Sequence, residues 1–338
     1  MRVLVTGGAG YIGSHTSISL LEKGNDVVIV DNLCNSKRLV IDRIEELSGK
    51  KVSFYPYDVC NIEKMREIFE GEKIDAVIHF AGLKAVGESV QKPLEYYQNN
   101  LGSTLALLQV MQEYNVNNLI FSSSATVYGK PATVPIKEDF PLSTTNPYGT
   151  TKLMIERILT DYAEVNTQFN PIILRYFNPV GAHESGRIGE DPKGVPNNLL
   201  PYVMQVAIGK LEKVRVWGND YKTTDGTGER DYIHVVDLAE GHVAVLQLFE
   251  QQNCGLNIFN LGSGKGNSVL EIIEVVSKTT GKEIPYEICD RRAGDIDSSF
   301  SDCTKIFNEL GWKTERTLDE ICVSSWKWQQ MNPNGYDE

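Results

Sequence analysis

The segment Asn146-Pro147-Tyr148-Gly149-Thr150-Thr151-Lys152 sets a phenol and an ammonium four residues apart, which on a helix puts both on one face. A free tyrosine titrates at about 10, so alone it is a poor base at neutral pH. An ammonium nearby, joined by the positive charge of an oxidised nicotinamide, would stabilise the phenolate and make it a general base. Upstream, Ser122-Ser123-Ser124 closes an apolar run. Ser124 there can hydrogen-bond a substrate oxygen and relay its proton to Tyr148. A Tyr-x-x-x-Lys pair in isolation is ordinarily a solvated helix face, and a serine after a strand is as readily a turn or cap residue. The chemical reading therefore depends on what else the chain supplies.

What it supplies is a dinucleotide fingerprint. Val3-Leu4-Val5-Thr6-Gly7-Gly8-Ala9-Gly10-Tyr11-Ile12-Gly13 reads as strand, glycine turn and helix with G-x-x-G-x-x-G spacing. Gly7 and Gly10 permit a sharp turn and close approach to a pyrophosphate, Gly13 lets the helix pack on the strand, and the helix N-terminus offers N–H donors. The second strand ends at Asp31, 18 residues past Gly13. A carboxylate there can accept from an adenosine ribose and would repel a 2′-phosphate, favouring NAD over NADP. Asp58 and Val59 follow the third strand, within reach of an adenine; Phe80, Ala81, Gly82 and Lys84 follow the fourth. Ligands of open parallel sheets bind beyond the C-terminal strand ends, so these positions line one crevice, although a phenylalanine is as a type more often core.

The elements that must hold these groups alternate. β-branched apolar runs predict strands over 2–6, 26–30, 52–57, 76–80, 118–122 and 172–176, with helical patterns over 14–23, 63–69, 93–114 and 148–164. Such alternation predicts an α/β fold with a doubly wound parallel sheet. From about Asn178 the chain turns Gly/Pro/Asn-rich among shorter elements. A smaller C-terminal lobe is expected there, so that 1–177 forms one domain and 178–338 the other, with a strand over 257–261 returning to the first sheet.

Composition excludes several classes. Hydrophobic residues make up 41% and glycines number 29 in 338, enough for a folded core. Acidic residues outnumber basic ones 45 to 33, a net charge of -12, which argues against a nucleic-acid partner. The six cysteines show no C-x-x-C pair and no histidine at ligand spacing, so ordinary reduced thiols and no metal are expected. The apolar run at the N-terminus is shorter than the roughly 7–15 residues of a secretory signal. No stretch reaches the ~18 apolar residues of a membrane helix. The expected address is the cytoplasm, with no membrane partner.

Together, Thr6-Gly7-Gly8-Ala9-Gly10-Tyr11-Ile12-Gly13 and Tyr148-x-x-x-Lys152 resemble the extended short-chain dehydrogenase/reductase superfamily, with its NAD(P)-binding Rossmann-like fold. Within it the likeness narrows to the UDP-glucose 4-epimerase family. It is carried by Asp31-Asn32-Leu33, the run Phe80 to Ser89, the run Ser122 to Gly129, Arg175-Tyr176-Phe177-Asn178-Pro179 and the run Gly228 to Val235. It spans essentially the whole chain. The resemblance implies a retained NAD, proton transfer from the sugar 4-OH to Tyr148, a 4-keto intermediate, and hydride return to its opposite face. It further implies cofactor contacts from Tyr11, Ile12, Asn32, Asn35, Ser36, Asn99, Ser122, Tyr176 and Phe177. For a UDP-hexose it implies Ser124, Tyr148, Asn178, Asn198, Leu199, Trp217, Arg230, Tyr232, Arg292 and Asp295. Two of these, Arg230 and Arg292, suit a diphosphate, because guanidinium forks pair well with phosphate oxygens. Trp217 stands where the family more often has a smaller aromatic.

One departure bears on substrate. Ser299 resembles a gate position at which glucose- and galactose-restricted members carry tyrosine and members that accept N-acetylated sugars carry a small residue. Ser298 is equally small, so a one-residue slip leaves the expectation unchanged: UDP-GlcNAc and UDP-GalNAc as well as UDP-glucose and UDP-galactose. The related nucleotide-sugar 4,6-dehydratases resemble this chain too, but carry an Asp-Glu pair where it has Ala125-Thr126. A dehydrogenase that releases its cofactor and a non-enzymatic NAD-binding protein are the other readings. Finally, Leu101, Leu105, Leu108, Leu153, Ile155, Ile158 and Leu159 give the two long helices apolar residues on more than one face. Sheet packing and pairing with a second copy both account for them, and the family resemblance implies a homodimer.

Overall fold

Short runs of valine, isoleucine and leucine such as Arg2–Thr6 (β1) and Asp26–Val30 (β2) are buried along nearly their whole length. Strands so covered pair parallel inside a sheet with helices on both faces. In the computed structural model, which describes residues 1–251, 253–292 and 295–336, they are joined by Ser53–Tyr55 (β3), Ala76–His79 (β4), Asn118–Ser124 (β5) and Asn170–Tyr176 (β6). The strand Asn257–Leu261 completes a seven-stranded sheet, in the order 257–261, β6, β5, β4, β1, β2, β3. The helices between these strands are Tyr11–Glu22 (α1), Leu39–Ser48 (α2), Ile62–Gly71 (α3), Val86–Gln91 (α4), Pro93–Glu113 (α5) and Pro147–Val165 (α6). The order reverses between β1 and β4, the switch point of a dinucleotide-binding sheet, and both strands deliver glycine- and alanine-rich turns to that edge.

All six expected strands form, β1 and β2 at the expected ends and the other four with shifted ends. β3 is shorter than 52–57, β4 stops at His79 so that Phe80 lies beyond it, and β5 continues to Ser124 because each of its last residues has a partner on β6. The helix expected from 14 begins at Tyr11, so the glycine turn is itself the helix start. α2 and α4 were not expected. α2 has a buried stripe at Val40, Ile41 and Ile44, whereas α4 is a six-residue turn anchored by the Tyr96 hydroxyl, which bonds the Ala85 backbone and Glu88.

The chain divides into two compact units. The first comprises Met1–Lys130, Phe140–Tyr176 and Ala239–Asn260; the second comprises Pro131–Asp139, Phe177–Leu238 and Leu261–Glu338. In the first, one core of Leu4, Val28, Val77, Leu107, Phe121 and Ile155 packs helices onto the sheet. In the second, Asn178–Val180 pairs parallel with Tyr232–His234, and Glu229–Arg230 is flanked by Asn267–Ser268 and by Ser298–Ser299. The helices Leu199–Ala207, Val269–Thr280 and Leu318–Met331 share its core. Among the described residues no helix is long and apolar enough to cross a membrane, and no three His, Cys, Asp or Glu residues cluster as metal ligands.

Candidate active site

The turn after β1 is a cradle that side chains would fill. Gly7 has φ +69°, and a Cβ there would lie 2.9 Å from the Ala81 nitrogen; a Cβ on Gly13 would lie 2.3 Å from the Gly7 oxygen. Gly10 caps α1 without a side chain to occupy the first N–H groups, which leaves a positive helix end suited to a pyrophosphate. Asp31 is buried and accepts from Ala9 N at 3.0 Å, Leu33 N at 2.9 Å and Ser36 Oγ at 2.8 Å. Of the roughly four acceptor sites on a carboxylate, one remains for a ribose hydroxyl. These features fit NAD. Gly13→Ala is expected to force the turn open at a cost of about 1–3 kcal/mol and to weaken NAD retention about tenfold or more, read by calorimetric titration of the stripped protein.

The other strand ends gather at the same edge. Asn32 donates to Asp58 at 3.0 Å, joining the turns after β2 and β3. Val59 packs its side chain into the core, so only its backbone can meet a ligand. Asn35 is exposed and Ser36 is committed to Asp31. Lys84 lies 5.9 Å from the ring of Tyr11, the first residue of α1. Asn100 locks the loop that carries Phe80, Ala81 and Gly82: it accepts from Leu83 N at 2.8 Å and donates to Leu83 O and Thr151 Oγ1. Asn99 donates to Asn100. Phe80 stacks on His242 with ring centroids 4.9 Å apart, and the Tyr176 hydroxyl bonds the same imidazole. Phe177 is buried, and its N–H donates to Leu261 O at 3.1 Å.

α6 brings the reactive pair to β5. Asn146 caps the helix by accepting from Gly149 N at 2.8 Å, and Pro147 fits the first turn, which fixes where Tyr148 points. Lys152 is buried; its Nζ donates to Ser122 O at 2.6 Å and lies 5.9 Å from the Tyr148 ring. Ser124 is the cap residue that its sequence position allowed, set beside the Tyr148 ring's helix. Its Oγ accepts from Thr126 N at 3.2 Å and Thr126 Oγ1 at 3.0 Å, capping a turn over Ala125–Tyr128, and it lies close enough to Tyr148 to favour the ionised phenol. Burial pushes the Tyr148 phenol up to about 12, with Ser124 opposing. Burial likewise draws Lys152 down to about 8, with the Glu156 charge opposing. In the protein alone the ammonium is turned onto a backbone carbonyl, so the depression of the phenol expected from Lys152 together with an oxidised nicotinamide depends on the second of these charges. A further positive charge must be added before Tyr148 acts as a base.

In the second unit, strand register assembles the residues expected to bind a nucleotide sugar. Asn178 stands across from Tyr232, and Ser299 across from Arg230. Asp295 pairs with Arg230 at 3.7 Å and with Arg292 at 3.0 Å, and the Arg292 guanidinium lies 6.0 Å from the Trp217 ring. Leu199 packs against the core that contains Tyr232, while the Asn198 amide is turned away onto Glu190 at 3.1 Å. Asp231, which sequence reasoning missed as a site residue, is fully buried and accepts from Ser263, Gly264 and Ser301. Its signal lay in the very run, Arg230-Asp231-Tyr232, that carries the resemblance.

A family model described as GDP-mannose 4,6 dehydratase, within the same superfamily, matches residues 4–324. The UDP-glucose 4-epimerase of Bacillus subtilis (strain 168) is 56% identical over 336 residues, which are 99% of this chain and 99% of that one. The crystal structure of UDP-glucose 4-epimerase from Bifidobacterium longum in complex with NAD+ and UDP is 56% identical with a TM-score of 0.96, covering 99% of this chain and 100% of that one. This chain belongs to the UDP-glucose 4-epimerase family. The family also reaches more distant structures, such as the UDP-Glc/GlcNAc 4-epimerase from Campylobacter jejuni, at 38% identity and a TM-score of 0.86 over 98% of this chain and 99% of that one. Where a dehydratase would need its acid pair, this epimerase-family chain has Ala125, with no ionisable group, and Thr126, whose hydroxyl is spent on Ser124.

Proposed function

We propose that the protein inverts C4 of UDP-hexoses with a retained NAD, acting on UDP-glucose and UDP-galactose and also on UDP-GlcNAc and UDP-GalNAc. The observation that carries this reading is the Ser124–Tyr148–Lys152 set at the strand edge that also bears the glycine cradle. The first compact unit, which departs from the expected 1–177 by losing 131–139 and gaining 239–260, serves as the NAD-binding domain, and the second serves as the UDP-sugar lobe. Gly7, Gly10, Gly13 and Asp31 hold the cofactor. NAD, when bound, supplies the acceptor for the C4 hydride and the donor that returns it. Tyr148 takes the 4-OH proton on oxidation and gives it back on reduction, and Ser124 bonds the same oxygen. Lys152 keeps a positive charge near the phenol. Arg230 and Arg292 grip the diphosphate rather than the sugar, so that the 4-ketose is free to turn over and receive hydride on its other face. The small side chain at Ser299 leaves room for a 2-acetamido group.

Purified protein with no added cofactor is incubated separately with UDP-glucose and UDP-GlcNAc, and the C4 epimers are resolved by chromatography. Conversion of both is expected; conversion of neither, even with NAD supplied, overturns the reading. Net NADH in excess of enzyme would point to a dehydrogenase instead.

The protein acts in the cytoplasm, as a homodimer. In support of the dimer, Leu94 is 74% and Leu105 52% exposed along α5, and Met154 is exposed on α6, whereas Leu108, Ile155 and Leu159 face the core. Leu105→Arg would set like charges against each other across a two-fold face. It is expected to yield a folded monomer by light scattering.

A further inference from the structure

Two consecutive residues of β5 fasten α6 to the sheet. The Ser122 carbonyl accepts from Lys152 at 2.6 Å. The Ser123 hydroxyl donates to Glu156, one helical turn further along the same face. Ser123 stands directly across from Arg175 on β6. The Arg175 guanidinium closes on the same carboxylate, Nε at 3.0 Å and Nη2 at 2.7 Å. Its Nη1 donates to the Tyr128 hydroxyl at 2.9 Å, and that hydroxyl donates to Asn260 Oδ1 at 2.7 Å. Ser123, Glu156, Arg175, Tyr128 and Asn260 are each no more than 4% exposed, and Lys152 is 6% exposed.

A buried ion pair is a poor device for stability alone, since apolar residues of similar volume often do as well. Its place suggests another use: Tyr148, Lys152 and Glu156 recur at four-residue intervals on one face of α6. We propose that Glu156 is a positioning residue for the C4 inversion, clamped by Arg175 and Ser123 so that it holds Lys152 on the Ser122 carbonyl and keeps a fixed negative charge one turn beneath the ammonium. The inference rests on the epimerase reading of Tyr148 and Lys152.

The charges around Lys152 leave that role to Glu156. Titratable neighbours are Tyr148 and Glu156 on α6, His79 on β4, Arg175 and Tyr176 on β6 with His242 behind Tyr176, and Tyr128 after β5. His79, drawn down to about 3 by burial and by Lys152, is neutral. Of these groups Glu156 alone is a carboxylic acid, and it faces the Arg175 guanidinium at 2.7 Å. Burial works against the Lys152 proton, and Glu156 works for it. Because the folded-state value is lowered to about 8, the ammonium is present below that pH and lost above it. The alkaline limb of kcat/KM should fall there.

The test is the pH profile of kcat/KM, with competitive acetylation of Lys152 read by peptide mass spectrometry as a readout that needs no turnover. Glu156→Gln is expected to move both midpoints to lower pH by about one unit, which is about a tenfold loss of rate on that limb. Arg175→Met, which frees the Glu156 charge, is expected to move them the other way, and Glu156→Asp to leave them in place. Removing one partner of a buried pair is strongly destabilising, so melting curves accompany each variant. The double variant Glu156→Met/Arg175→Met, apolar on both sides, decides the matter where a single one does not fold; it should follow Glu156→Gln. Folded variants whose midpoints coincide with the parent's overturn the proposal. If the parent converts no UDP-hexose, the epimerase reading fails separately, and the acetylation midpoints still decide whether Glu156 governs Lys152.

Discussion

Tyr148→Phe is expected to cut C4 inversion by about 10²–10⁴, the range for loss of a positioned general acid–base group, while fold and NAD retention stay intact. The substitution keeps the ring, with Lys152 5.9 Å from its centroid, and removes only the hydroxyl. The structural loss is one hydroxyl, and the Ser124 oxygen beside it keeps its two bonds from Thr126. The chemical loss is larger because the phenol is the group proposed to take the 4-OH proton and return it. With the phenol pushed up to about 12, only about one in 10⁵ would be ionised at neutral pH in the protein alone. Positive charge beyond that of Lys152, as from a bound oxidised nicotinamide, would make the ionised phenol accessible. Initial rates by chromatography, a melting curve and the cofactor content of the purified variant check this. Full activity in a folded, NAD-loaded Tyr148→Phe protein would remove Tyr148 from the mechanism.

That pair could be read from the chain because its geometry is local. Four residues of helix place Tyr148 and Lys152, and the Gly7-to-Gly13 turn closes within a single strand–helix unit. The six strands were legible for the same reason, as apolar runs between turns. What stayed hidden depends on register between distant segments. Glu156 gains its meaning from Arg175 and Ser123, which meet only because β5 and β6 pair residue by residue. Asp231 gains its own from Ser263 and Ser301, on two other loops. α4 was missed because six residues carry too little periodicity, and a tyrosine from α5 holds the turn. The Tyr148–Lys152 spacing was visible in the pattern; the upward push of burial on the phenol was not.

Ser299→Tyr is expected to lower conversion of UDP-GlcNAc by about 10² or more while UDP-glucose conversion changes by less than about threefold, because excluding a group takes a built-in clash, whereas an open pocket discriminates modestly. The backbone at this position has little freedom to retreat. Ser299 stands across from Arg230, and its carbonyl accepts from Asp231 N at 2.9 Å. Two residues on, Ser301 is pinned by the Asp231 carboxylate through its N–H at 3.0 Å and its hydroxyl at 2.6 Å. The neighbouring Ser298 hydroxyl donates to Glu229 at 2.8 Å, and successive strand residues point to opposite faces. The two serines, interchangeable in the sequence, therefore differ in the fold: a ring at 298 would first displace the Glu229 contact, and a ring at 299 lies beside the arginine proposed to hold the diphosphate. Ser298→Tyr is the matched control. Chromatographic rates on both substrates separate the cases: UDP-GlcNAc turnover that survives in Ser299→Tyr would place any gate elsewhere, and an equal loss on both substrates would mean that the ring disturbs Arg230 rather than the space for the acetamido group.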